Sequence, residues 1–529
     1  MDNKELKLFS LRSAMIFLYI VFVAIIPLAM RVQVVEFNSP VETWLPLASK
    51  TITELFAQFR FDLLVTATIL LIVAALLKMY YEHENKTITN SYLDYPIVVF
   101  AFLIILSGLL SPYINLAFYG YYNRGEGSFA YLCYLFIFIV AANFINAEKD
   151  KKIIFYAALA SGLLQSLIAI PQFFGYELLK NSLLMRLYIP PQYLPLVKDI
   201  QSIVSNKAAG TMSNPNYLGA YMSMIFPMVF VRYLYSKTAR ETIVWIIVLL
   251  IVFTGFLSPT SIGAFAAAGL ALVVFFVLTR KDFKHYYKKI IIALVVLLLI
   301  AFASDVLSSG GIRTRLSTFF ANEGETIFEE KVKSINNNTG TDTTGKISPT
   351  QDTAIDLNNK EIIITRFPFD SFASNRGYIW RKSAEMMRNT IIIGKGLDTY
   401  IYNFPHWDFE KDHNLFPIGL YVDKPHSTYI QIAVGVGGIG LLVYLYLLFL
   451  HLKKYLQVFR LRGLKEESDI ILLALFIGWL GYLFQGLSND SVIANAPVFW
   501  ALFGLSVNYV KNSLLPVQSK PPGRPKKEK

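Results

Sequence analysis

Twelve apolar runs, each near the length that crosses a bilayer, recur along this 529-residue chain and leave it few folds. About 20 residues of helix span the hydrocarbon layer. Backbone inside that layer must satisfy its own N–H and C=O groups, which a helix does within one segment. The runs are 13–31, 62–80, 94–111, 128–146, 153–174, 217–235, 242–258, 261–279, 289–306, 428–450, 468–487 and 496–512. The pair at 242–279 is nearly continuous and is read as a hairpin. Hydrophobic residues make up 54% of the chain and charged ones 16%, which excludes an ordinary soluble globule. The expected fold is therefore all-α: a polytopic membrane bundle of about twelve transmembrane helices. No small-residue cleavage site follows the first run, so it is expected to stay in the protein.

Lysine and arginine set the orientation. Outside the long loop 307–427, most of the 49 Lys and Arg fall in the tails and loops of one side. That side is read as cytoplasmic, with both termini in it, in a cell membrane. The net charge of +12 follows from this excess. The basic tail, residues 513–529, ends in Lys526-Lys527-Glu528-Lys529; it is read as an anchor near anionic lipid, not as a nucleic-acid patch. Cys133 lies within a run and implies no disulfide.

The chain divides into an N-terminal bundle, 1–306, of about nine spans, an extracytoplasmic loop, 307–427, and C-terminal transmembrane hairpins, 428–512. The loop holds about 120 residues, far more than a connector needs. Its stretch 334–353 is rich in Asn, Thr, Gly and Ser and is expected to be disordered. Near 374–390 an amphipathic helix is expected, capped by Ser374. Ile379, Trp380, Ser383, Ala384 and Met387 form one face; Arg381, Lys382 and Arg388 lie largely on the other. Such a helix lies on a membrane surface or packs on top of the bundle. Asp408-Phe409-Glu410-Lys411-Asp412-His413 matches no standard metal spacing and reads as a solvated acidic loop. The first outside loop carries Glu36 and Glu42 without an Asp-rich motif, and neither HExxH nor a P-loop occurs. No metal and no cofactor are expected.

Two outside residues stand out. His426 ends the long loop in Asp423-Lys424-Pro425-His426, just before the glycine-rich Gly435-Val436-Gly437-Gly438. Arg376 opens Arg376-Gly377-Tyr378-Ile379-Trp380, fifty residues upstream. A proton carrier and a fixed cation at a membrane surface suit chemistry on a charged, lipid-linked substrate. Their plainer readings are a surface histidine that starts a helix and a helix charge facing lipid headgroups. Asn214 and Asn216, in Asn214-Pro215-Asn216, either line the site or turn the chain into a span.

Taken together, several segments resemble the O-antigen ligase and O-antigen polymerase-like superfamily of bacterial membrane glycosyltransferases. They are Gly120-Tyr121-Tyr122-Asn123-Arg124-Gly125-Glu126-Gly127; Gly210 to Tyr221; Arg376 to Trp380 with Gly394-Lys395-Gly396; Asp423 to His426 with Tyr429 and Gln431; and Asn489-Asp490 with Phe499-Trp500. The resemblance covers roughly residues 95–510 and implies a GT-C type enzyme. Such enzymes move a glycan from undecaprenyl diphosphate to an acceptor hydroxyl on a glycan, lipid or protein, with inversion and without metal. It implies His426 as the base or acceptor-orienting group and Arg376 as the diphosphate cation. Arg124, Lys207, Lys424 and Asn214 are the further substrate-binding candidates. One departure stands out: where many members carry Ser-Arg-Gly, this chain has Ser261-Ile262-Gly263. A polymerase of surface polysaccharide repeats is favoured over a ligase. Expected partners are the lipid-linked donor, the acceptor, the bilayer, and a chain-length regulator or flippase of the same pathway, with no nucleic acid. The rival classes are a transporter or flippase of lipid-linked glycans, and a scaffold of an export assembly.

Overall fold

The computed structural model describes residues 3–36, 51–82, 90–196, 208–320, 352–355, 361–364, 367, 369–370, 372–406 and 421–514. Twelve long helices carry the fold: α1 (Asn3–Ile20), α2 (Gln58–Glu82), α3 (Asp94–Leu109), α4 (Ser128–Phe144), α5 (Glu148–Phe173) and α6 (Pro215–Leu234), then α7 (Ala239–Leu257), α8 (Ile262–Leu278), α9 (Phe283–Leu307), α10 (Gly438–Arg462), α11 (Glu467–Gln485) and α12 (Ala496–Leu514). A π turn, Val21–Ile25, and a last turn, Ile26–Leu28, extend α1. Among the described residues the strands form two small antiparallel hairpins, Gln33–Glu36 with Thr51–Glu54 and Asp352–Ile355 with Glu361–Ile364. The all-α expectation is met. The near-continuous run 242–279 is indeed a hairpin, turned at Ser258–Ser261 between α7 and α8.

The helices differ in what they face. Among the described residues, eight helical segments are long and apolar enough to cross a membrane, and three shorter apolar ones are α3, α4 and α8. The remaining helix, α12, carries Ser506, Asn508 and Lys511, and every residue from Ala496 to Lys511 is buried. It is enclosed by protein, so its polar groups find partners: Asn508 donates to Ala142 O at 2.9 Å, and Lys511 Nζ to the same oxygen at 2.8 Å. Burial is nearly complete for the apolar stretch of α6 (94%) and low for that of Arg280–Leu307 (22%). So α6, α11 and α12 form the centre, while α9 turns most of its side chains outward.

Close packing at this centre depends on small residues, as expected where helices associate without a hydrophobic drive. Gly481 of α11 lies directly on Ser223 O of α6, and a Cβ on Gly504 of α12 would lie 2.6 Å from Phe138 O of α4. His451, midway along α10, is fully buried. Its ring nitrogens meet Tyr92 Oη at 2.8 Å and Ser506 Oγ at 3.1 Å. Trp479 and Phe503 pack edge-on against its ring, so this polar group is enclosed and satisfied.

The expected span 428–450 differs from the structure. Its start is a separate short helix, Thr428–Gly435, and the chain breaks at Gly437 (φ 113°) before α10 begins. The break leaves backbone groups that need partners. Residues 390–396 supply them: Gly394 N donates to Val436 O, Lys395 N to Val434 O and Gly396 N to Gly435 O, each at 2.9 Å. From the other side, Gly438 N donates to Thr390 O at 3.0 Å. Interrupted helices in membrane proteins survive when neighbouring protein satisfies the freed groups in this way.

The long loop packs on the bundle where it is described. Its helix, Phe372–Met387, bears a left-handed residue at Asn375 (φ 64°) and buries Tyr378, Ile379, Lys382 and Ser383. Those residues sit against Tyr400, Phe404 and Val434. Two faces differ from expectation: Lys382 is buried, and Ala384 is exposed. The Ser374 side chain, residues 334–351 of the Asn/Thr-rich stretch, Glu42, Asp408–His413 and the tail from 515 lie outside the described residues.

The α6–α11 contact gives a stability prediction. Gly481→Ala places a methyl group against Ser223 O and should cost about 1–3 kcal/mol by overpacking. Gly269→Ala, where a Cβ meets nothing within 4 Å, is the control. The thermal unfolding midpoint of the detergent-solubilised protein should fall for the first variant and not for the second.

Candidate active site

One face of the bundle gathers the loops 110–127, 208–214, 258–261, 390–406, 421–437 and 486–495. The last two are stitched together. Thr428 N donates to Gly486 O and to Asn489 O, both at 2.9 Å, and Thr428 Oγ1 to Asn489 O at 3.0 Å. Ser491 N donates to Gln431 Oε1 at 3.3 Å. The 486–495 loop is anchored in turn on α6: Asn489 Nδ2 donates to Asn216 O at 3.0 Å and Asn495 Nδ2 to Tyr217 O at 2.9 Å.

This stitching places His426 with φ at 52°, a conformation that a non-glycine residue adopts only when its surroundings hold it there. Its Nδ1 meets Asp490 Oδ2 at 3.0 Å. The His426 side chain is 36% exposed and the Asp490 side chain 0%. The carboxylate is therefore a buried orienting group, and Nε2 is the ring nitrogen left to face an incoming ligand. Burial alone would raise the Asp490 carboxyl, but His426, Lys424 and Arg376 outweigh it and hold the group below its ordinary value.

Arg376 reaches the same loop: its Nη1 donates to Ser488 O. Trp380, one turn on, donates from Nε1 to Pro425 O at 2.9 Å. The helix bearing Arg376 is thus tied to the residue before His426, and Arg376 and His426 come together around Ser488–Asp490. Asp490, which was not among the site residues expected from the sequence, meets His426 there. The signal was present in Asn489-Asp490, but a single carboxylate in a loop says nothing about which histidine it meets.

The other candidates have different surroundings. Lys424 is 2% exposed; its Nζ donates to Ser491 O at 3.3 Å and lies 5.5 Å from the Tyr217 ring centroid. Burial would lower its pKa, but Tyr217 and Asp490 raise it. Arg124 is 6% exposed and already compensated: Nε lies 3.0 Å from Asp398 Oδ1, and Nη1 donates to Asp423 Oδ2 at 2.6 Å and to Asp423 O at 3.1 Å. Burial would lower this guanidinium too, and the two carboxylates more than reverse it. Asp398 also accepts Tyr121 N at 2.6 Å, so Arg124 clamps the 120–127 turn to both halves of the long loop's end. Asn214 caps α6, its Oδ1 accepting Asn216 N at 2.8 Å. That is the turn-forming one of its two readings. Lys207 lies outside the described residues.

Ile262, at the place of the expected arginine, opens α8 beside this loop. Ser261 Oγ donates to Asn216 Oδ1 at 3.1 Å, and the next residue, Gly263, lies against Ser488 and Gln485. The segment therefore borders the site without contributing a charge to it. A small cavity opens nearby, lined by Asp398, Asp423, Lys424, Gln431 and Gly435.

Residues 246–445 match the family described as O-Antigen ligase. The matched stretch, less than half of the chain, runs from within α7 into α10 and contains Arg376, Lys424 and His426. This match supports the O-antigen ligase-like resemblance over that stretch, and the long apolar helices are consistent with a polytopic membrane protein. No curated protein matches the chain.

Asp490 supplies a pH-dependent prediction. A carboxyl held below its ordinary value contributes stability that is present above the unfolded value of 3.8 and is lost as the pH falls through the folded one. Asp490→Asn should therefore lower the unfolding midpoint at pH 7, and its gap to the wild type should narrow as the pH falls below about 4.

Proposed function

We propose that this protein is a membrane glycosyltransferase that moves a glycan from undecaprenyl diphosphate onto an acceptor hydroxyl, extending a surface polysaccharide. The observation that carries this reading is the His426–Asp490 pair set beside Arg376 at the helix-capped end of the long loop. In the proposed step the acceptor oxygen attacks the anomeric carbon and forms the new glycosidic bond. The bond from that carbon to the diphosphate oxygen breaks, and the lipid diphosphate leaves with the electron pair. The hydroxyl proton passes to His426 Nε2, and the buried Asp490 stabilises the resulting imidazolium. Arg376 offers a forked donor to the charge that develops on the diphosphate. Attack opposite the leaving group makes the step inverting, and no metal takes part in it.

The excess of Lys and Arg on the opposite face supports a site on the extracytoplasmic side of the cell (cytoplasmic) membrane, with both termini in the cytoplasm. The domain division at 306, 427 and 512 follows the same reading. So do the proposed partners: a lipid-linked donor, a glycan acceptor, and a chain-length regulator or flippase acting in the same pathway. A ligase that uses a lipid or protein acceptor is the second reading, favoured by the description of the matched family. Transport is less well supported, because His451, the polar group at the middle of α10, is sealed by its partners.

Glycan analysis of a deletion strain, complemented with the wild type or with variants, tests the proposal. Short lipid-linked units that only the wild type extends into long chains mark a polymerase. Normal-length chains that stay on the lipid carrier mark a ligase. His426→Ala should lower product by at least about 100-fold, as loss of a general base does, while membrane expression stays normal. Arg376→Lys should also lose most product, since a point charge replaces a fork. Full product from His426→Ala would refute the catalytic assignment.

A further inference from the structure

Behind His426 the structure buries a carboxyl that the reaction above does not use. Glu126 follows the Arg124 turn and is 0% exposed. Its Oε1 accepts Tyr134 Oη at 2.6 Å. Its Oε2 is buried and meets no donor with hydrogen-bond geometry among the described residues, although the Ser491 hydroxyl lies close by. The Tyr131 hydroxyl, on the same helix as Tyr134, is likewise buried and meets no partner with hydrogen-bond geometry among the described residues, although Ser491 lies close to it too. The groups that act on Glu126 come from every element around it: Lys424 from the His426 loop, Tyr131 and Tyr134 from α4, Tyr482 from α11 and Asp398 from the 390–406 segment.

Lys424 is the group these neighbours share. Its charge acts on Glu126 and also on Asp490, whose Oδ2 holds His426. Around it the charges of Arg124, Lys424 and Arg376 face those of Asp398, the half-exposed Asp423 and the buried Asp490, three against three without Glu126. An ionised Glu126 would add one uncompensated negative charge directly behind a site that must receive an anionic diphosphate. It would also draw Lys424 away from Asp490.

We propose that Glu126 is a positioning residue, a neutral carboxyl whose state decides whether Lys424 serves the Asp490–His426 pair and the anionic donor. This rests on the glycosyl-transfer reading above, but the holding of the proton does not. Burial pushes the Glu126 carboxyl up to about 7, against the pull of Lys424 and Tyr134. The group is thus neutral below neutrality and ionises just above it. Transfer then declines on the alkaline side as Glu126 loses its proton.

Two sets of measurements on the full-length protein test this. The first is independent of activity. Infrared spectra of the purified protein should show the C=O stretch of a protonated carboxyl at pH 6, lost in Glu126→Gln. The stability that the wild type holds relative to Glu126→Gln should be full below the ordinary carboxyl value of 4.5 and fall away as the pH rises to about 7. A band that survives in Glu126→Gln, or a stability difference that does not vary with pH, would show that Glu126 holds no proton and overturn the proposal, whatever the enzyme does. The second uses membranes supplied with lipid-linked glycan. Glu126→Leu should lower transfer by more than about tenfold, since a buried cation loses a polar neighbour. Glu126→Gln should restore it at pH 6 to within about threefold and remove the alkaline decline. A Glu126→Gln profile that declines as the wild type does would overturn the coupling through Lys424. Absence of transfer by the wild type, with the infrared band in place, would instead refute the glycosyl-transfer reading.

Discussion

Everything at the candidate site depends on backbone hydrogen bonds that repair a broken helix. The segment from Thr428 to Arg462 does not run straight; it stops at Gly435 and resumes at Gly438. The groups freed at that break bond to residues 390–396, which approach closely because Gly394 lies directly on Gly435 O. The short helix this creates carries His426 at its entrance. Its first residue, Thr428, is bound to the 486–489 backbone, so the break also decides which loop faces His426. The end of the long loop is thereby built into the bundle.

Electrostatics then gives that loop its character. Arg124 is buried between Asp398 and Asp423, so its charge is used inside the protein to join three segments distant in the chain. Breaking such a pair by removing one partner is costly, because it leaves a buried charge uncompensated. Arg376 and Lys424 reach the 488–491 segment through carbonyl oxygens, and both also act on Asp490. Arg124 thus ties together the segments that carry Asp398 and Asp423, while Lys424 and Arg376 act on the Asp490 carboxylate that meets His426. A transporter would need such groups along a path through the bundle. At its centre the described bundle has close-packed apolar residues, and polar groups there such as His451 and Asn508 are enclosed and bonded to neighbouring protein.

Much of this was legible in the chain alone, and the reason is periodic hydrophobicity. The helices α1 to α9 and α11 fall where apolar runs of bilayer length predict them, because a segment that crosses lipid or packs inside such a bundle must be apolar over about that length. The inner helix α12 was also found, though its polar residues answer to neighbouring protein and not to lipid. Arg376 and His426 stood out because a cation and an imidazole at the edge of apolar segments are conspicuous. Asp490 and Glu126 did not, since a lone carboxylate in a short loop carries no mark of the partner it meets. Asn214 read equally well as a ligand or a cap, and only its bond to Asn216 N distinguishes the two.

Sequence by itself determined the class of fold and the number of long helices, and it marked a cation and an imidazole at the edge of apolar segments, because burial in lipid and ionisation are properties of local composition. Tertiary structure alone decided the break at Gly437, the burial of Arg124 and the meeting of His426 with Asp490. Each of these joins residues tens to hundreds of positions apart, through backbone groups and charges whose partners are set by how the helices pack. No local pattern records that choice.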